Sequence, residues 1–239
     1  PEVKIVNAPP WMSPALRQQL RNTVAACVAP EPLDVESLES AAARLQQNPW
    51  VERVHAVSRE FGGRIEVHAA YRAPVALIHA RDGYHLVDLH GRRLPGAYTK
   101  DQLDALGLPV ITGVTAAPPR EGEPWSGGDV DAGLQLATFI AAQPFADAVE
   151  AVDVTNFAGR HDESRPHLLL MTEGGAVRWG RAPGREQFYE PPAETKLEHI
   201  RRVRRKYGSI DAGGQVVDVF GDSVFIHPRR AIRYTAGGE

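Results

Sequence analysis

The sequence predicts an α+β chain in two parts: a small β-α-α-β-β sandwich over residues 1–72, then a β-rich domain over 73–239 whose mixed sheet carries packing helices. Three observations predict it. Asn48-Pro49-Trp50-Val51 hands a helix over to a strand, because a proline disfavours helical geometry in the residue before it. Ile65, Val67, Ala69 and Tyr71 alternate with Glu66, His68 and Ala70 in the period of a half-buried strand. After Pro74 the texture changes to many short apolar runs divided by turn-forming residues.

The first part begins with Val3 to Val6 as a strand. Ser13-Pro14 then offers a helix cap followed by proline at the first helical position, where its missing N–H costs nothing. Leu16, Leu20, Val24, Cys27 and Val28 follow at helical spacing, so Cys27 reads as a small core residue and not as a reactive thiol. A second helix is expected from Asp34 as N-cap, with Leu38, Ala42 and Leu45 on one face, ending near Asn48. Strands over Val51 to Arg59 and Ile65 to Tyr71, joined by a turn at Gly62-Gly63, supply the surface both helices need.

In the second part, strands are expected at Val75 to Ala80, Tyr84 to Leu89 and Arg92 to Leu94, and an apolar run at Leu108 to Gly113. Ala116 to Gly128 reads as a surface loop, and Asp129 as the cap of a helix whose Val130, Leu134, Ala137 and Ala141 share one side and which stops before Pro144. Val149 to Val154, His167 to Met171 and Ala176 to Trp179 read as strands, with Gly174-Gly175 as a hairpin turn. A last helix, Glu194 to Tyr207, is expected to turn Leu197, Ile200, Arg204 and Tyr207 inward. Two strands close the chain, Gln215 to Phe220 and Ser223 to Pro228, around a turn at Gly221-Asp222, and a polar tail follows.

Composition excludes several function classes. With 30 acidic and 27 basic side chains in 239 residues, the formal net charge of −3 gives no overall field for a nucleic-acid backbone or an anionic membrane. The single cysteine rules out an internal disulfide and a cysteine-built zinc site. No window approaches the roughly 20 apolar residues of a spanning helix. Because the chain starts at Pro1 and is already in a strand by Val3, an upstream segment is expected to precede it.

The residues that could carry chemistry are scattered. None of the nine histidines pairs at His-x-x-x-His spacing, and the close pairs His79/His85 and His85/His90 fall on strands and turns; His161-Asp162-Glu163 reads as a solvated loop. Ser126-Gly127-Gly128 lacks a nucleophile's strand-to-helix setting, and no phosphate-cradling glycine loop occurs. The basic run Arg201 to Lys206 sits where cations meet the negative end of a helix dipole. The sequence therefore predicts no enzyme: no catalytic residue, metal site or cofactor. The feature with functional content is the last strand, Val224-Phe225-Ile226, whose backbone would be a template for a partner strand if it lies at a sheet edge.

Taken in order, these residues resemble the extracytoplasmic part of the bacterial cell-division family FtsQ, also called DivIB. Asn48-Pro49-Trp50-Val51, Arg59, Ile65, Val67 and Pro74-Val75-Ala76 match that family's POTRA domain, which has the β-α-α-β-β order. Leu86-Val87-Asp88-Leu89-His90-Gly91, Leu108 to Gly113, Gly174 to Gly180, Lys196-Leu197 and Val217-Asp218-Val219 resemble successive motifs of its β domain. The sequence departs from the pattern at Gly62, where proline is usual, at Tyr71, where glutamate is common, and at Phe220, where arginine is usual; Gly184 to Pro192 looks like an insertion.

The resemblance implies a non-enzymatic scaffold on the extracytoplasmic face of the cell membrane, anchored by one upstream transmembrane helix. It implies FtsB/FtsL-type division proteins as partners, with no nucleic acid and no small-molecule substrate. A partner strand would add beside Ser223, Val224, Phe225, Ile226 and His227, with Asp218, Val219 and Phe220 next door, and Val224 and Ile226 filling the partner's pockets. Two other readings are separable from it. A POTRA-bearing transport or secretion component would show tandem repeats and lead to an outer-membrane barrel, and a hydrolase built on the strand histidines would bind a metal stoichiometrically.

Overall fold

A computed structural model describes residues 2–29, 31, 34–102 and 106–229. The chain is α+β, and it forms two compact units, Pro1–Pro74 with Arg120–Gly122 and Val75–Pro119 with Glu123–Glu239.

The first unit contains β1 (Val3–Val6), α1 (Pro14–Ala25), α2 (Val35–Gln46), β2 (Val51–Arg59) and β3 (Ile65–Tyr71). Local chemistry sets its boundaries. The Ser13 hydroxyl oxygen accepts the Leu16 N–H at 3.1 Å and Pro14 opens α1, while Asp34 Oδ1 accepts the Ser37 N–H at 3.0 Å to open α2. The sheet order is β1-β3-β2, with β1 parallel and β2 antiparallel to β3. Leu16, Leu20 and Val24 of α1, Ala41 and Leu45 of α2, and Val51, Ile65 and Val67 of the sheet close one core.

The second unit is an eight-stranded mixed sheet ordered β11-β10-β9-β8-β7-β6-β4-β5. Its strands are β4 (Ala76–Ala80), β5 (Gly83–Val87), β6 (Val110–Thr112), β7 (Ala151–Asp153), β8 (Leu168–Met171), β9 (Ala176–Gly180), β10 (Val216–Asp218) and β11 (Phe225–His227). Two helices, α3 (Gly128–Ala141) and α4 (Ala193–Tyr207), make the crossovers between the parallel pairs β6/β7 and β9/β10. Both crossovers step the same way along the sheet, so right-handed connections put both helices on one face. Val177, Trp179, Val217 and Val219 of the strands pack there in one core with Leu136 and Ile140 of α3 and Leu197, Ile200 and Val203 of α4.

Several expectations are corrected. Asp129 does not cap α3, since Gly127 holds the N-cap position and Asp129 lies buried inside the first turn. Its Oδ2 accepts the Thr115 N–H at 3.1 Å, the Thr115 hydroxyl at 2.9 Å and an Arg160 N–H at 2.8 Å, which leaves the carboxylate tying three segments together. Ala141 is exposed, while Ala132, Leu136 and Ile140 are buried, so α3 buries more of its circumference than one stripe. On α4 the buried side chains are Lys196, Leu197, His199, Ile200 and Val203; Arg204 and Tyr207 face solvent. Arg92 to Leu94 forms no strand, only bridges of Arg93 to Val87 and Arg92 to Pro124. The stretch from Ala116 to Gly128 is not wholly superficial, because Trp125 is buried and its Nε1–H donates to Ala116 O at 3.1 Å.

Candidate partner-binding edge

β10 is the inner neighbour of the last strand, and its position is fixed at both ends. Ahead of it, Asp211 Oδ2 accepts the Thr172 hydroxyl at 2.8 Å and Oδ1 the Ser209 hydroxyl at 2.6 Å. Burial alone would push this carboxyl up, but these hydrogen bonds, with those from the backbone of Gly213 and Gly214, hold it below the usual aspartate range. At its far end the Val219 N–H donates to Arg178 O at 3.1 Å, which continues the parallel ladder to β9.

β11 pairs antiparallel with β10 in the register Val216 to His227, Val217 to Ile226 and Asp218 to Phe225. Among the described residues β10 is its one ladder neighbour, so β11 forms an edge of the eight-stranded sheet. The tail beyond Arg229 lies outside the described residues. The strand is shorter than the sequence predicted, because Ser223 is in a bend and Val224 precedes the first paired residue.

Which backbone groups point outward follows from parity. The Val219 N–H to Arg178 O and the Ala176 N–H to Gln215 O at 3.0 Å turn the odd-numbered residues of β10 toward β9. Val216 and Asp218 therefore face β11, and their partners His227 and Phe225 face back toward β10. Val224 and Ile226 are left with N–H and C=O aimed away from the sheet. Pro228 adds a carbonyl and no donor.

The side chains divide between two faces. Val224 and Ile226 are partly buried and pack against the helix-covered core, so they do not fill pockets in a partner as the sequence reading expected. Val219 is fully buried on that same side. On the opposite face Phe225 is 59 % exposed, and Asp218 meets Arg178 Nη1 at 3.3 Å and His227 Nε2 at 3.0 Å; Phe220 lies in a bend past the end of β10 and is half-buried. Ser223 is exposed before the strand begins. All eight residues singled out by sequence thus gather at one end of the sheet, with Phe225 and not Val224 or Ile226 as the outward apolar group.

The sheet's other edge is closed from within. Tyr84 of β5 exchanges both backbone hydrogen bonds with Tyr98, at 3.0 and 2.8 Å, and Leu86 O accepts the Leu94 N–H at 2.8 Å.

Sequence reasoning missed a buried ion pair beside the candidate edge. The Lys196 ammonium, fully buried on α4, donates to Glu190 Oε1 at 2.6 Å and lies 5.0 Å from the centre of the Trp179 ring. Burial pushes its pKa down, and Glu190 opposes that shift by hydrogen bond and charge. The same carboxylate accepts the Arg181 N–H at 2.7 Å. A lysine beside Leu197, Ile200 and Val203 on one helix stripe was the available signal.

Two of the histidines weighed as ligands make other contacts. His79 stacks on Tyr84 with ring centres 4.5 Å apart, and His85 is buried with Nε2 2.9 Å from Asp82 Oδ1. Among the described residues no cluster of three His, Cys, Asp or Glu side chains could hold a metal ion, and no helix is long and apolar enough to cross a membrane. No protein-family model matches the chain, and no curated protein matches it.

Proposed function

We propose that this chain is a non-enzymatic scaffold of the bacterial division machinery, the extracytoplasmic part of an FtsQ/DivIB-type protein with a POTRA domain followed by a β domain. On this reading an FtsB/FtsL-type partner adds a strand to the outer side of β11. The observation that carries the reading is the outward backbone of Val224 and Ile226 on a strand with one ladder neighbour among the described residues. Two further features support it: the β-α-α-β-β order of the first unit, and the motif order from Leu86-Val87-Asp88 to Val217-Asp218-Val219 along the second. The membrane anchor would lie upstream of Pro1 and the chain outside the cytoplasm.

A strand added over so few residues is expected to bind at micromolar Kd, about −8 kcal/mol, with membrane tethering of both proteins raising the effective concentration. The test separates the outer ladder from the inner one. Ile226→Pro removes an outward donor, whereas Phe225→Pro removes a donor that β11 uses to hold β10. Isothermal titration with the extracytoplasmic segment of the partner encoded in the same genome should show binding lost in Ile226→Pro and kept in the packing control Ile226→Ala. Full-strength binding by Ile226→Pro would overturn strand addition at this edge.

A further inference from the structure

The helix layer over the second sheet has a gap. α3 crosses between β6 and β7 and α4 between β9 and β10, whereas β8, which separates those pairs, is antiparallel to both neighbours and is reached by a loop and a hairpin. The two helix positions are three strand spacings apart, about 14–15 Å, and packed helices lie only about 8–10 Å apart. Over β8 runs a cleft of about 980 Å³, at the upper end of the roughly 300–1,000 Å³ of ligand pockets. Leu168, the first residue of β8, lines it together with Leu134 and Phe139 of α3 and with Ala182 past the end of β9. Leu89, 59 % exposed, adds an apolar side chain in contact with water.

One wall of the cleft is preformed. Asn156, fully buried, donates from Nδ2 to Asp162 O at 2.9 Å and to Pro166 O at 3.1 Å, and its Oδ1 accepts the His161 and Asp162 N–H groups at 3.0 Å. The loop after β7 is thereby held in one shape, which brings Phe157 and Ala158 into the lining, the latter at φ 57°. An alanine with positive φ is strained, and a wall that is already ordered costs a ligand nothing to order. The charges along the cleft are unequal. Arg181 and the exposed Arg185 line it with His167, and Asp131 is the one acid among the described lining residues. Glu190 lies 3.5 Å from Arg181, but its Oε1 is already held by the Lys196 ammonium at 2.6 Å. Burial and the Arg181 charge set the His167 pKa below its ordinary value against the pull of Glu190, so at neutral pH the ring is uncharged and can donate one N–H. The Phe157 ring is 6.2 Å from His167, and a side chain on Gly128, the first residue of α3, would come within 3.0 Å of Phe157 Cζ. His167 and the positive end of the α3 dipole therefore share one end of the cleft.

We propose that the cleft over β8 binds a fatty acid. Its carboxylate lies among Arg181, Arg185 and His167 near the start of α3, where a guanidinium fork matches the two oxygens, and its alkyl chain lies along Leu134, Phe139 and Leu168. Two arginines against one aspartate leave a single positive charge in excess, which suits a head group with one negative charge better than a phosphate. From Gly128 to Phe139 α3 runs for about 16 Å, the length of an alkyl chain of about twelve carbons. The site goes beyond the scaffold reading and does not depend on it, since no residue of β10 or β11 lines the cleft.

The test is isothermal titration of the whole chain with dodecanoate below its micelle concentration, beside octanoate and dodecyltrimethylammonium. Dodecanoate should bind at one site per chain, and octanoate at least about tenfold more weakly, because fewer methylenes leave water. The cationic amphiphile should not bind. Arg185→Ala should weaken dodecanoate about tenfold, through loss of a charge-assisted hydrogen bond. Asp131→Asn, which removes a like charge, should tighten it about two- to threefold. Both side chains are exposed, so melting of the free protein should be unchanged in either variant. Failure of dodecanoate to bind, equal affinity for the three amphiphiles, or dodecanoate affinity unchanged by both substitutions would overturn the site.

Discussion

Removing one member of the Lys196–Glu190 pair should strongly destabilise the second unit. Both side chains are almost wholly buried, 0 % and 2 % exposed, so neither can find water when its partner goes. Breaking such a pair costs about 3–5 kcal/mol, because an unpaired charge is left in the interior. The two single variants should differ. Lys196→Met leaves Glu190 the Arg181 N–H at 2.7 Å and the Arg181 guanidinium at 3.5 Å, so its loss should be near the lower end, about 3 kcal/mol. Glu190→Leu leaves the ammonium the Trp179 ring, Arg181 O at 3.5 Å and the more distant Glu186 charge, so its loss should be nearer 5 kcal/mol on the same scale, about 10–20 °C in Tm for a unit of this size.

The sign of the pH dependence separates this account from simple loss of packing. Burial already sets the Lys196 pKa below its ordinary value, and Glu190→Leu removes the main group that opposes that shift, leaving the weaker pull of the Glu186 charge. A lysine with a folded pKa below the unfolded one destabilises fully at low pH and is relieved as pH rises toward the unfolded value, about 10.4. Glu190→Leu should therefore recover stability relative to the parent protein as pH rises toward the unfolded lysine value, while Lys196→Met should not. The double variant Glu190→Leu/Lys196→Met should return to within about 1–2 kcal/mol of the parent, since an apolar pair of similar volume replaces the ions. Denaturant melts of the four proteins at pH 7 and 9.5 are the assay. Single-variant losses below about 1 kcal/mol, or a double-variant loss equal to their sum, would refute the reasoning.

Two further outcomes follow from the geometry of the second unit. Burial pushes the Asp129 carboxyl up, but the hydrogen bonds from Arg160 and Thr115 outweigh it, and Asp211 behaves in the same way with Ser209 and Thr172; both stand below the usual aspartate range. Their stabilising contribution is complete above about pH 4 and is lost as pH falls through the folded values, so the urea midpoint should drop from pH 6 to pH 3; an unchanged midpoint would contradict it. A methyl added at Gly175 would run into the backbone of Gln215, where the Ala176 N–H makes the bond that starts the β9/β10 ladder. Gly175→Ala should cost roughly 1–3 kcal/mol in a melt and also weaken partner binding, because β11 hangs on β10.

What could be read from the sequence was what is decided within a few residues. Ser13-Pro14 and Asp34 announce their helices because the capping oxygen and the N–H it accepts are three positions apart. Pro49 announces the passage into β2 for the same local reason. The face of α4 was misread by one step, since Leu197 and Ile200 fit a stripe through Arg204 and Tyr207 as well as one through Val203. Lys196 and His199 made the true stripe look polar, and the carboxylate that explains Lys196 sits in a tract without periodicity. The candidate residues from Asp218 to His227 were legible as a strand pair with a turn. Which of them turns outward was not, because it depends on the parity of the β10 ladder with β9, a segment some 40 positions earlier whose bond to Val219 fixes it.

The edges of the sheets are closed in different ways. Unpaired strand edges invite indiscriminate pairing, and folded proteins cover or blunt them. Here β5 is closed by the bonds to Tyr98 and Leu94, and in the first unit the Gln46 side chain accepts the Val54 N–H at 2.8 Å and donates to Glu52 O at 3.1 Å along the outer side of β2. β11 is treated differently. It is cut to three paired residues, and Pro228 withholds the next outward donor, so little backbone is offered to a stray strand. A template that short selects poorly on hydrogen bonds alone, and a partner must gain its preference from side chains. Phe225 on the exposed face is the group placed to supply it. An edge kept short enough to resist aggregation and carrying one outward aromatic side chain would favour one added strand over others.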